Sequence, residues 1–415
     1  MIEKIHIQNF KSIYDLELEV GRVNLFIGEN GSGKSNLLEA LVFVSAAGSN
    51  KLDNEFLVSR GLRVPEAELM RSAFDKENVN KEISIEIGYL NHSLIYLLNH
   101  NNQEYGLWEN LSDVIGINKN ILDESEQYII QVKDTDKKFD LLQNKITEAI
   151  KNKSKFDEKY MDNLLLELNK FKEKYKMLSS NKILNEDLGN IEKLLKIQNF
   201  LIYSPENTAL RIFEKEKQIQ PLGINGEGLL KLLKVINNYE DKSYINTIIE
   251  SLQLFNWFED ITIPSDISSL EDKVIIKDKY LYREFTQRSA NEGFLFILFY
   301  ITLIVAKETP KAFAIDNIDA SLNPKLCTKL MTILTDLAKK YDKQIFLTTH
   351  NPAILDGIDL NDEEQKLFVV SRNKKGHTRM KEITAKDKPK SSTNEPLKLS
   401  EAFLRGYLGG LPKGF

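Results

Sequence analysis

Gly28-Glu-Asn-Gly31-Ser-Gly33-Lys34-Ser35 has the spacing G-x-x-x-x-G-K-[ST], and it stands between a short apolar run, Val23–Ile27, and a helical pattern from Asn36 to Ala46. Each residue type there suits the holding of phosphate. Glycines let successive backbone N–H groups turn toward an anion, and the helix N-terminus adds partial positive charge. Lys34 reaches the terminal phosphates and the Ser35 hydroxyl ligates Mg²⁺. Asn30, Gly31, Ser32, Gly33 and Asn36 complete the expected cradle. A phosphate-bound Mg²⁺ needs a second anchor, usually an Asp closing an apolar strand. Ala312-Phe-Ala-Ile315-Asp316 supplies one, so the expected metal ligands are Ser35 and Asp316. His350 follows an apolar strand 34 residues beyond Asp316 and is a candidate functional residue, whereas His6, His92, His100 and His377 read as structural.

Period-2 alternation at Ile5, Ile7, Leu16, Leu18 and Val20 predicts an N-terminal β-hairpin, and Ile83 to Leu98 predicts an antiparallel pair turning near Asn91-His92. Gly116 to Gly189 encloses no glycine or proline. Apolar residues there recur at steps of three and four (Phe139, Leu142, Ile146, Ala149, then Phe156 to Leu178), predicting a coiled-coil-like helical insertion with Lys and Glu on solvated faces. Strands and helices then alternate: a strand near 200–203, helix over 228–258, helix 292–307, strand 311–316, helix 324–341, strand 344–349, helix near 352–356 and strand 367–371. Such alternation predicts an α/β fold with a mixed, mainly parallel sheet flanked by helices. The expected organisation is an N-terminal part of the head over 1–116, a helical insertion lobe over 117–199, a C-terminal part over 200–372 and a basic tail over 373–415.

With 415 residues, 42% of them hydrophobic, the chain can bury a full core. One cysteine, Cys327, excludes a disulfide framework and a cysteine-rich zinc module, and a net charge of -5 argues against a nucleic-acid coat protein. The N-terminus lacks the apolar core of a signal peptide, so a cytoplasmic location is expected. The strongest apolar run, Phe294–Ala306, has 13 residues where a bilayer requires about 20, and it reads as a buried helix.

With these motifs in order over 1–60 and 200–372, the chain resembles the ABC-type ATPases, in the branch that includes RecF, SMC proteins and the ATPase half of overcoming-lysogenization nucleases. The resemblance implies an ABC-ATPase head with ATP and Mg²⁺ as cofactors. Asp316 to Pro324 resembles the family's Walker B and D-loop, Leu347-Thr-Thr-His350-Asn-Pro its switch histidine, and Ser289-Ala-Asn-Glu-Gly293 stands where its signature motif belongs. Ile202-Tyr-Ser-Pro205-Glu206 is similar to the segment that RecF places beside the nucleotide. Two positions depart from the pattern. Asn317 replaces the glutamate that polarises the attacking water, so hydrolysis is expected to be slow unless a base such as Asp319 substitutes. Aligned on Gly293, the signature serine is Asn291, which can still donate to a phosphate.

In such heads the signature loop of one protomer covers the phosphate held by another, so the resemblance implies a homodimer or higher oligomer. Only 65 residues follow His350, without a D-x-D pair, too few for the nuclease domain of the overcoming-lysogenization proteins. The expectation is a stand-alone ATPase acting on a separately encoded effector, a nuclease, resembling bacterial anti-phage systems, with no membrane partner. The alternative is a RecF- or SMC-like DNA-binding ATPase of repair, docking nucleic acid on the basic stretch Arg372–Lys413, which could equally be a solvated tail. Arg60, Arg63 and Arg71 could reach phosphates or a partner, or form surface salt bridges. Asn225-Gly-Glu-Gly228 reads as a turn, Ala385–Pro396 as a mobile loop, and Phe403–Phe415 as a segment docking on its own head or on a partner.

Overall fold

The structure, a computed structural model, describes residues 1–89, 92–103, 106–111, 196–212, 221–265, 273–389 and 397–411. The chain divides into two compact units. One comprises Met1–Leu90, Ile95–Ser112 and Leu194–Phe415, and the other comprises Asn91–Leu94 and Asp113–Lys193. The helical seam expected over 117–199 lies outside the described residues as far as 195.

Alternation pairs the first two strands as expected. β1 (Lys4–Phe10) and β2 (Ile13–Glu19) run antiparallel with Ile5 opposite Leu18 and Ile7 opposite Leu16, all four buried. β1 also pairs with β4 (Ile83–Tyr89), and β5 (His92–Asn99) and β6 (Glu109–Asn110) complete a five-stranded sheet.

The second sheet carries the phosphate loop. Its order is β14-β13-β3-β12-β11-β7, from β3 (Val23–Gly28), β7 (Ile202–Tyr203), β11 (Ala312–Ile315), β12 (Gln344–Thr349), β13 (Gln365–Arg372) and β14 (Thr378–Ile383). All its pairings are parallel except β13 with β14. Every residue of β3, β11 and β12 is buried, the pattern of strands covered on both faces. A small antiparallel sheet, β8 (Phe258–Thr262), β9 (Ile275–Asp278) and β10 (Phe285–Thr286), precedes the apolar helix.

The helices are α1 (Lys34–Gly48), α2 (Asn54–Ser59), α3 (Ala67–Met70), α4 (Leu229–Asn237), α5 (Ser243–Leu252), α6 (Glu292–Val305), α7 (Pro324–Lys340) and α8 (Leu399–Leu404). α6 is apolar on all sides because it is buried on all sides, from Phe294 through Val305. Among the described residues no helix is long and apolar enough to cross a membrane. α7 starts sharply: Asn323 accepts from the Leu326 N–H at 3.0 Å, Pro324 fixes the first turn, and Lys339 and Lys340 sit at its negative end.

Much of the stretch expected as a tail is built into the head. Thr378–Ile383 is the edge strand β14, and Leu399, Ala402, Phe403 and Leu408 pack into the main core. Asp356 anchors α8 by accepting from the Ser400 N–H at 3.0 Å and its hydroxyl at 2.6 Å. Apolar side chains at helical spacing outweighed the cationic composition. Within the expected loop Ala385–Pro396, Ala385–Asp387 form a 3₁₀ turn, and 390–396 lie outside the described residues.

One ion-pair node joins the β1–β2 turn to α1. Glu39 is 1% exposed, and its carboxylate accepts from Lys11 Nζ at 2.5 Å and Arg63 Nε at 2.6 Å. Burial lowers the Lys11 ammonium, opposed by the Glu39 charge. Replacing Glu39 strands a buried cation, so Glu39→Gln should lower stability by about 3–5 kcal/mol in denaturant unfolding at pH 7. Glu17→Gln, which breaks the exposed pair with Lys4, should leave the midpoint in place. Equal midpoints for the two variants would show that the Glu39 node carries nothing.

Candidate functional site

Parallel strands end at the same edge, and ligands of open α/β sheets gather outside those carboxyl ends. β3 runs into the glycine loop, β11 into Asp316 and β12 into His350. Between them lies a cleft of about 310 Å³, lined by Asn30, Gly31, Gly33, Lys34, Ser35, Asn36, Asn317 and His350, with Arg63 and Arg372 at its wall.

The loop's shape requires glycine. Gly33 has φ +107°, and a Cβ there would stand 2.1 Å from Thr378 Oγ1 and 2.8 Å from Ser12 Oγ. Ser32 is 1% exposed and its hydroxyl has no hydrogen-bond partner among the described residues. A buried orphan donor beside a ring of backbone amides fits an incoming phosphate oxygen. Lys34 Nζ lies folded against the loop, donating to the carbonyls of Gly28 at 2.9 Å and Glu29 at 3.0 Å, with His350 Nδ1 at 3.5 Å. Burial pulls the Lys34 ammonium down to about 8, against the opposing charges of Asp316, Asp319 and Glu29. His350 is also lowered, by burial and then by Lys34, which favours a neutral imidazole.

The Ser35 hydroxyl donates to Asp316 at 3.1 and 3.3 Å on its two oxygens, and the Thr348 hydroxyl donates to Asp316 Oδ1. One hydroxyl and one carboxylate side by side fit Mg²⁺, which keeps several waters and takes its remaining ligands from phosphate. No cluster of three or more His, Cys, Asp or Glu side chains suited to a self-sufficient metal cage occurs among the described residues.

Asn317 has φ +56°, a left-handed conformation that asparagine tolerates, and its N–H donates to Thr348 Oγ1 at 2.9 Å. Asp319 is occupied otherwise. Its Oδ1 accepts from Thr349 Oγ1 at 2.6 Å and from the His350 N–H at 3.3 Å, so it braces the histidine loop and does not line the cleft. Asn291 and Gly293 are also absent from the lining. Asn291 caps α6 by accepting from the Phe294 N–H at 2.8 Å, and Gly293 fits closely against the Ser321 carbonyl, where a Cβ would stand at 3.1 Å.

The early arginines separate by role. Arg60 donates to the Phe200 carbonyl at 3.2 Å, and Arg71, 1% exposed, is spent on Lys81, Asn99, His100 and Asn102. Arg63 pairs with Glu39 and still reaches the cleft wall. The turn at 225–228 closes on itself: Glu227 accepts from the N–H and side chain of Asn225, both at 3.1 Å.

Sequence reasoning passed over Ser12 and Thr378, and read Arg372 only as the start of a basic stretch. Arg372 Nε donates to the Gly31 carbonyl at 2.7 Å, and Thr378 donates to the Ser32 carbonyl at 2.9 Å while meeting Ser12 Oγ at 2.6 Å. A cation at the carboxyl end of a strand was a readable signal for Arg372, but only the β13–β3 pairing reveals what it faces. A second cavity of about 520 Å³ shares Asn36, Arg63 and Arg372 with the phosphate cleft and is walled by Val64, Pro65, Leu69 and Phe74. Its size and apolar wall suit a nucleobase and ribose.

Because the Lys34 ammonium titrates near 8 and a bound polyphosphate would hold its proton, nucleotide binding should take up a proton above that pH. Affinity for a non-hydrolysable ATP analogue should therefore fall about tenfold from pH 7 to pH 9. Titration calorimetry at the two pH values checks this, and equal affinities would remove Lys34 from the phosphate contact.

Residues 23–356 match the family described as "AAA domain, putative AbiEii toxin, Type IV TA system". Among curated proteins the chain is similar to an uncharacterized protein, MJECL10, of Methanocaldococcus jannaschii. The two are 34% identical over 113 residues, covering 25% of this chain and 49% of that one. It is also similar to the DNA replication and repair protein RecF of Listeria welshimeri, 44% identical over 55 residues (13% and 15%), and to that of Porphyromonas gingivalis, 35% identical over 119 residues (28% and 30%). The matches thus span about half or less of each curated relative. An SMC head solved with the C-winged helix domain of ScpA shares the fold, with a TM-score of 0.53 and 13% identity over 93% of this chain and 98% of that one. With the match running from the phosphate-loop strand to beyond His350, over most of the chain, the chain belongs to this AAA family, and its fold is that of an SMC head.

Proposed function

We infer that two copies of this ATPase close around Mg-ATP, and that the closed dimer is a scaffold regulating a separately encoded effector, a nuclease, in anti-phage defence. The observation that carries the dimer is the separation of parts. The loop ending in Asn291 and Gly293 opens a 14-residue helix whose N-terminus favours an anion, yet neither residue lines the cleft that Lys34, Ser35 and His350 line. A second copy gives that loop a phosphate to cover. ATP then drives closure through contacts made only in the closed state.

Within one protomer Lys34, Ser32 and the loop amides hold the phosphates, His350 stands at their far end, and Ser35 and Asp316 hold Mg²⁺. The metal supplies charge neutralisation for the phosphate oxygens when bound. Asn317 can orient a water but cannot accept its proton. Loss of a general base costs about 10²–10⁴ in rate, so turnover of the closed dimer is slow. Support for an effector comes from the family description, which names a toxin and a type IV TA system, and from the SMC head carrying a ScpA domain. A second reading, nucleic-acid loading as in repair, is favoured by the RecF matches and by the exposed cations Arg372, Lys374, Lys375 and Arg379 on the β13–β14 hairpin.

Sedimentation should show a monomer without nucleotide and a dimer with Mg-ATP, the dimer being lost in Asp316→Ala. Rapid phosphate release that Asp316→Ala abolishes would sink the clamp. ATP-dependent DNA binding with a steep salt dependence would favour the second reading, and co-purification with the product of a neighbouring gene would favour the first.

Asn317→Glu tests the missing base directly. The left-handed backbone penalises glutamate by about 1–2 kcal/mol, roughly five- to thirtyfold in rate at most, which is less than most of the range a positioned base contributes. Phosphate release should therefore rise at least about threefold. No rise would place the limit on hydrolysis elsewhere.

A further inference from the structure

Arg211 lies in the 3₁₀ turn Ala209–Arg211, which follows β7. That segment is firmly seated. The Ser204 N–H donates to the Ile224 carbonyl and the Glu206 N–H to the Asn225 carbonyl, both at 2.8 Å. Leu210 is fully buried against Gly226, where a Cβ would come within 2.4 Å of Leu210 Cδ2.

From this base the guanidinium crosses to the turn before α6. Nη1 donates to the carbonyls of Gln287 at 2.9 Å and Arg288 at 2.6 Å, Nη2 donates to the carbonyl of Ala290 at 2.8 Å, and Nε donates to Asn207 Oδ1 at 2.9 Å. Four of its five N–H groups are used. Three main-chain carbonyls converging on one planar cation specify arginine, since an ammonium presents its donors as a tetrahedral fan. The turn so gripped delivers Asn291 and Gly293.

The same segment is bonded at its other end to the metal strand. The Asp316 N–H donates to the carbonyl of Tyr203, the last residue of β7, at 2.9 Å. One short stretch of chain thus runs from the Asp316 backbone to the loop before α6.

We propose that Arg211 is a positioning residue: it holds the Gln287–Gly293 loop in the shape that meets the nucleotide of a second copy, and ties that loop to the strand pair carrying Asp316. The proposal rests on the dimer reading above. It assigns Arg211 no contact with nucleotide in its own protomer.

The test compares wild type, Arg211→Ala and Arg211→Lys. Charge-assisted hydrogen bonds are lost in the alanine variant, so amide exchange over 288–293 should accelerate at least about tenfold while exchange elsewhere is unchanged. Binding of a non-hydrolysable ATP analogue to the dilute monomer should stay within about twofold, whereas the concentration for half-dimerisation should rise at least about tenfold, with the lysine variant between. A purely structural residue would lower the unfolding midpoint without separating dimerisation from nucleotide binding. If Arg211→Ala does not fold, Asn207→Ala removes only the acceptor for Nε and should give the same effects at smaller size. Unchanged exchange over 288–293 overturns the proposal. A wild-type dimer that Arg211→Ala leaves at the same midpoint overturns it alone, and a wild type that stays monomeric with Mg-ATP overturns the dimer reading and this proposal together.

Discussion

The register between β3, β12 and β11 is the constraint on which the rest depends. Ile27 lies opposite Thr349, and Ile315 lies opposite Leu347. One residue beyond the first pair come Gly28 and His350, and one beyond the second comes Asp316, level with Thr348, so the glycine loop, the histidine and the carboxylate emerge at the same edge. Thr348 and Thr349, which close β12, hold the adjoining turn in place through Asp316, the Asn317 N–H and Asp319. A slip of one residue would turn every side chain of a strand to the other face. Side chains of both faces are packed into the core, so a slip would break close packing on both sides, and the apolar core and the geometry of the site have a common cause.

That cause also explains what could be read from the chain in advance. Short apolar runs ending in a glycine loop, in Asp316 and in His350 are local signals, and they locate the three strand ends without any knowledge of pairing. The apolar helix α6, Asn323-Pro324 at the start of α7 and the N-terminal hairpin were legible for the same reason, since periodicity and capping act over a few residues. Contacts between distant segments were not. Ser12, Thr378 and Arg372 meet the loop only because β13 pairs with β3 and the hairpin turns β14 back toward Ser12. Composition misled over 373–402, where an excess of lysine and arginine suggested a tail although Ile383 and Leu399 are core residues.

Electrostatics at the site favours the binding of an anion. Lys34 and His350 are both partly desolvated and close to each other, and both are shifted toward neutrality, a state that a polyanion would reverse for the lysine. Asp319, a carboxylate near Lys34 and His350, is fixed by Thr349 and the His350 N–H. Its role in orienting the histidine loop competes with any role in taking a proton. Asn317, held by its backbone, adds an amide where the family has an acid.

The phosphate loop is therefore built from both ends of the sequence. Gly31 and Ser32 offer their carbonyls to Arg372 and Thr378, and Gly33 has no space for a side chain because Thr378 and Ser12 fill it. The strand that brings Thr378 leads to α8, which is bonded through Ser400 to Asp356 just beyond the switch histidine. The glycine loop and the turn after His350 are thus each tied to the C-terminal segment, one through Thr378 of β14 and the other through Asp356.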